Sequence, residues 1–92
     1  ARADRLQLVV MTLTPCSSNA GWNGTKQTQL ETLNTAIRAY AAAHPGVILV
    51  DLYNSALRDG TALAAAYDSG DGLHPNAAGS ALIASLVTAG RP

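Results

Sequence analysis

Leu6-Gln7-Leu8-Val9-Val10-Met11-Thr12-Leu13 is an almost unbroken apolar run that ends at Thr14-Pro15. A run of this kind predicts a strand of a parallel sheet covered on both faces, since a half-wet strand would alternate. Val47-Ile48-Leu49-Val50-Asp51-Leu52 has the same character and predicts a second such strand. Between the two runs, Leu30, Leu33, Ile37, Tyr40 and Ala41 recur at helical spacing. The helix they predict opens at Thr25 or Thr28, and Thr28 with Glu31 matches a capping box. It ends at His44-Pro45-Gly46, because proline disfavours helical geometry in the residue before it.

Beyond the second run, Asn54 is placed to cap a short helix over 53–59, with a further turn or two over 61–67. A loop over 68–75 follows. Asn76 then caps a last helix with Ala78, Leu82, Ile83, Leu86 and Val87 as its apolar stripe and Gly90 as its stop. The βαβα order predicts an α/β fold with parallel strands and helices on the sheet faces. Two strands and these helices do not cover every edge, so the strand over 6–13 is expected to expose one. A homodimer partner or a missing N-terminal half is expected there.

Composition narrows the function. Ninety-two residues make a single domain over 1–92 at most, and a chain of this size buries roughly 60–65% of its unfolded surface. Apolar residues are 48% and charged residues 13%. So little charge on so small a body suggests that part of the surface is covered by something else. Six basic and six acidic residues cancel, and no Lys/Arg run exists to grip phosphates or an anionic membrane. Nucleic acid is therefore not an expected partner. No apolar stretch approaches the ~20 residues of a membrane span. The single cysteine, Cys16, has no internal disulfide partner. No metal-ligand spacing and no phosphate-cradling glycine loop is present, so no cofactor or metal is expected. The chain starts at Ala1 and reads as a mature or cut piece; its compartment stays open, secretion included.

The chemistry-bearing stretch is Asp71-Gly72-Leu73-His74-Pro75-Asn76-Ala77-Ala78-Gly79. An acid three residues before a histidine, in a glycine-bearing loop, can bring a carboxylate to an imidazole without long-range folding. Such a pair is the orienter and base of a hydroxyl nucleophile. Taken alone, the same residues also read as a turn followed by a capped helix.

The ordered set of segments resembles the SGNH (GDSL-type) hydrolases. The family's last motif, Asp-x-x-His-Pro, is matched by Asp71-Gly72-Leu73-His74-Pro75, followed by Asn76 and Gly79. Val9 to Pro15 is similar to its fourth strand and Thr-Pro exit. Val50-Asp51-Leu52-Tyr53 with Ala56-Leu57-Arg58-Asp59 is similar to its fifth strand and trailing segment, and Tyr67-Asp68-Ser69-Gly70 leads into the motif as in relatives. The resemblance implies a partial flavodoxin-like three-layer α/β/α sandwich. It also implies hydrolysis of small-molecule carboxylic esters by Ser-His-Asp chemistry, with His74 as base and Asp71 as orienter. The family's Gly-Asp-Ser nucleophile motif and its two oxyanion motifs are not in this sequence. The chain therefore resembles a C-terminal half whose nucleophile comes from elsewhere or from a local substitute in Cys16-Ser17-Ser18-Asn19. The alternative is a non-catalytic fragment that dimerises or docks through its open strand edge.

Overall fold

The computed structural model describes residues 8–90. Strand β1 (Val9–Met11) pairs in parallel with β2 (Ile48–Val50), Val9 opposite Ile48 and Met11 opposite Val50. The ladder is lengthened by the Ile48 N–H to the Leu8 carbonyl (3.0 Å) and the Thr12 N–H to the Val50 carbonyl (3.2 Å). Both strands are shorter than the apolar runs that predict them, and residues 6 and 7 lie outside the described residues. Helix α1 (Gly24–Ala43) joins the strands, and α2 (Ala77–Gly90) closes the order as β, α, β, α. The α/β class and the parallel pairing are as the sequence predicts.

Successive side chains of a strand point to opposite faces. Val9, Ile48 and Val50 pack with Leu82, Ile83, Leu86 and Val87 of α2. Asp51, next along the chain, takes Arg38 of α1 instead. One helix thus lies on each side of the sheet. Leu52, Leu57 and Leu63 complete the α2-side core, with Leu57 fully buried. A smaller cluster of Cys16, Leu30 and Tyr53, with Trp22 beside it, lies under α1.

Coverage of β1 is less complete than its hydrophobicity implies. Met11 and Leu13 are each 44% exposed. Leu33 and Tyr40 of α1 are also exposed, so only Leu30, Ile37 and Ala41 of the stripe read from the sequence turn inward. The face turned inward carries Leu30 and Asn34, four residues on, followed by half-buried Ile37, Arg38 and Ala41. Asn34 is tolerated there because its amide accepts from the Leu13 N–H (2.7 Å) and donates to the Leu13 carbonyl (3.3 Å), satisfying strand groups past the end of β1. Helix α1 is capped by Asn23, whose side chain accepts from the Lys26 N–H, and not by Thr25 or Thr28. Asparagine outranks threonine as an N-cap. Thr28 instead donates back to the Gly24 carbonyl, and Glu31 accepts from Gln27, so no capping box forms.

No helix forms over 53–59. Strands β3 (Arg58–Asp59) and β4 (Ala62–Leu63) make a tight antiparallel hairpin. Its two-residue turn begins at Gly60, at φ +63°, a left-handed geometry that glycine adopts without a Cβ penalty. Asn54 caps nothing; its N–H and side-chain amide both donate to the Asp51 carboxylate. A 3-10 turn, Ala65–Tyr67, then leads into the loop before α2. Ala78 is exposed, and its neighbour Gly79 is the buried residue at the start of α2. A Cβ at Gly79 would lie 2.8 Å from the Pro75 Cβ and the Tyr67 carbonyl, so this glycine packs α2 on the preceding loop, not on the sheet.

Candidate active site

The loop from Asp68 to Pro75 is built by its own polar groups. The Asp68 carboxylate accepts from the Gly70 N–H (2.9 Å) and the Gly72 N–H (3.0 Å), an Asx-type turn. Its neck is closed by a bridge between Asp68 and Pro75, by the Ser69 N–H to the His74 carbonyl (3.0 Å) and by the Asn76 N–H to the Tyr67 carbonyl (2.8 Å). Asn76 caps α2 as expected, accepting from the Gly79 N–H at 2.9 Å, while its amide donates to the carbonyls of Ala66 and Asp68. The start of the helix is thereby tied to the base of the loop.

Asp71 and His74 meet within this loop. One Asp71 oxygen accepts from the backbone N–H of Leu73 and of His74, both at 2.8 Å, and from the Ser69 hydroxyl at 3.2 Å. The other lies 2.5 Å from the His74 Nδ1. The His74 side-chain contact, then the His74 and Leu73 N–H groups, hold the Asp71 carboxyl well below the usual carboxylate range. An ionised carboxylate only accepts, so the contact selects the imidazole form with its proton on Nδ1. The opposite nitrogen, Nε2, is left with a lone pair. The His74 side chain is 71% exposed and Asp71 46%, so the pair stands at the surface, yet the ring is held by its acid rather than turned away from it.

The loop leaving β1 contains the candidate substitutes for a nucleophile. Cys16 is buried, and that burial pushes its thiol up, away from the reactive thiolate. Ser17 is tied to the hairpin turn: its N–H donates to the Thr61 carbonyl (3.1 Å), and its hydroxyl accepts from that of Thr61 (2.8 Å). The Ser18 hydroxyl lies against Gly72, 2.7 Å from where a Cβ would stand. Among the described residues, no serine or threonine hydroxyl bonds to the His74 ring.

Two polar positions have a larger part than the sequence suggests. Asn19 donates to the Asp71 carbonyl at 2.9 Å across a separation of 52 residues, which no spacing pattern reveals. Asp51, the one charged residue of the second apolar run, is a junction. It accepts from Thr12 of the β1 exit (2.8 Å), from Arg38 of α1 (2.8 and 3.2 Å) and from Asn54. Arg38 first, and then Thr12 and Asn54, draw its carboxyl down to about 2 against the opposing effect of burial. Trp22 lines an apolar groove of about 220 Å³ with Leu13, Leu30, Leu33, Lys26 and Gln29; neither Asp71 nor His74 borders it. No group of three or more His, Cys, Asp or Glu among the described residues is gathered to hold a metal, and no helix of theirs is long and apolar enough to cross a membrane.

Fold and site together define an α/β protein with an acid–histidine pair on a loop past its strands. The chain belongs to the GDSL-like lipase/acylhydrolase family, whose model matches residues 1–82. Its kind is thus that of an ester hydrolase. No curated protein and no solved structure matches it.

Proposed function

We propose that residues 1–92 form one partial domain that supplies the acid–base half of a Ser-His-Asp hydrolase of small-molecule carboxylic esters. His74 accepts the proton of a serine hydroxyl at Nε2 and returns it to the leaving alcohol. Asp71 keeps the ring in the required form and steadies the imidazolium as it appears. The observation that carries this reading is the 2.5 Å approach of the Asp71 carboxylate to the His74 Nδ1. The nucleophile comes from a segment outside these residues or from Ser17 or Ser18. The rate of p-nitrophenyl acetate hydrolysis by the chain, beside that of His74→Ala, tests the proposal. Loss of a general base lowers the rate about 10²–10⁴-fold; equal rates remove the enzymatic reading for this chain. A fluorophosphonate probe locates the nucleophile, with labelling at Ser17 or Ser18 marking a local substitute.

A second reading is favoured by β1, which bonds β2 on one edge and has no other strand beside it among the described residues. In that reading the chain dimerises, or docks a missing half, through this edge.

A further inference from the structure

We infer that Asn19 is a positioning residue for the acid–histidine pair, acting through the Asp71 main chain; this rests on the reading of Asp71 and His74 given above. The bonds inside the 68–75 loop fix its shape, but not where it lies on the molecule. Asn19 supplies a tie of the second kind. Its Nδ2 donates to the Asp71 carbonyl (2.9 Å), and its Oδ1 accepts from the Gly21 N–H (3.0 Å). One partner is a pure acceptor and the other a pure donor, so the amide has one satisfactory orientation.

The frame behind Asn19 is stiff. Its own N–H reaches the Cys16 carbonyl (3.1 Å), and its carbonyl takes the Trp22 N–H (2.9 Å). Cys16 is buried, Trp22 packs against the small cluster, and Ser17 is bonded to Thr61. The two loops also fit closely. Gly72 is buried at φ +72°, and a Cβ there would lie 2.5 Å from the Asn19 nitrogen and the Ser18 carbonyl carbon. The side-chain bond and the glycine contact thus flank the Asp71–Gly72 peptide. The Asp71 carboxylate hangs from the residue so held, and with it the Nδ1 contact. The segment after β1 therefore sets the pose of the imidazole without touching it.

Asn19→Asp isolates this role. It keeps the acceptor for the Gly21 N–H and removes the donor to Asp71, whereas Asn19→Ala removes both. The readouts, on the full chain, are the proton resonance of the His74 Nδ1–H and the exchange rates of the Leu73 and His74 amides, which bond to the Asp71 carboxylate. Both variants are expected to shift or broaden that resonance. Both should speed exchange at Leu73 and His74 about 2–10-fold, the factor one ordinary hydrogen bond contributes, while amides of α2 such as Leu82 and Leu86 stay unchanged. Gly72→Ala, which pries the loops apart sterically, should give the same signature. An Asn19→Asp chain with wild-type resonance and exchange overturns the inference; so does equal acceleration throughout α2, which marks a general stabilising role. Asp71→Asn is the separate control. If the Nδ1 signal survives that change, the pairing of Asp71 with His74 is itself refuted, whatever Asn19 does.

Discussion

Two carboxylates, Asp51 and Asp71, are both drawn below the ordinary acid range, by different partners. Asp51 is held by a guanidinium and a hydroxyl at the junction of α1 with the strand ends. Its carboxyl titrates at about 2 when folded, against 3.8 ordinarily. A depressed folded value means stability that is present above the unfolded value and lost as pH falls through the folded one. Thermal melts should therefore show a loss of about 1–2 kcal/mol between roughly pH 4 and 2 from this group, after allowance for solvent screening. Asp51→Asn should flatten that part of the curve. Asp71, also depressed, stays ionised through the neutral range and keeps the proton on His74 Nδ1. The local half of the candidate site was legible because Asp71 and His74 are three residues apart, within one turn-rich loop. Asn19 was not, because its contribution appears only when two loops far apart in sequence are folded together.

At the scale of elements, the apolar runs and the helical periodicities located β1, β2, α1 and α2. Among the signals that failed was a short-range one with a stronger neighbour. Thr28 and Glu31 match a capping box, yet Asn23 is the better cap one turn earlier. Arg58–Asp59 and Ala62–Leu63 are too short to show strand alternation; Asp59-Gly60 was the available hairpin signal. Asn34 reads as a surface residue of α1 until its amide is seen on both polar groups of Leu13. Asn34→Ala should cost about 1–3 kcal/mol, since it removes both of the hydrogen bonds made to the Leu13 backbone. Leu57→Ala should cost about 2–5 kcal/mol by leaving a cavity in the α2-side core. Asn23→Ala should cost about 1 kcal/mol. Urea denaturation orders the three, and a Leu57→Ala chain as stable as the unsubstituted one would contradict the packing described.

At the scale of the whole molecule, one helix lies on each face of the sheet, but among the described residues β1 has no strand on its other edge, and Met11 and Leu13 are exposed. Zero formal net charge gives little repulsion against association. Sedimentation equilibrium should show a mass that rises with protein concentration, and Met11→Lys should suppress the rise; a monomer at all concentrations refutes association of this chain through the edge. The fold class and an acid–histidine loop were readable from order and spacing, and the family from the resemblance of its ordered segments, whereas the exposure of Met11 and Leu13 needed coordinates. The measurement that tests the central claim most directly is the pH profile of p-nitrophenyl acetate hydrolysis by the chain and by His74→Ala. The account predicts a rate that climbs as the imidazole loses its proton, and the absence of that limb from the variant. Two superimposable profiles would contradict it.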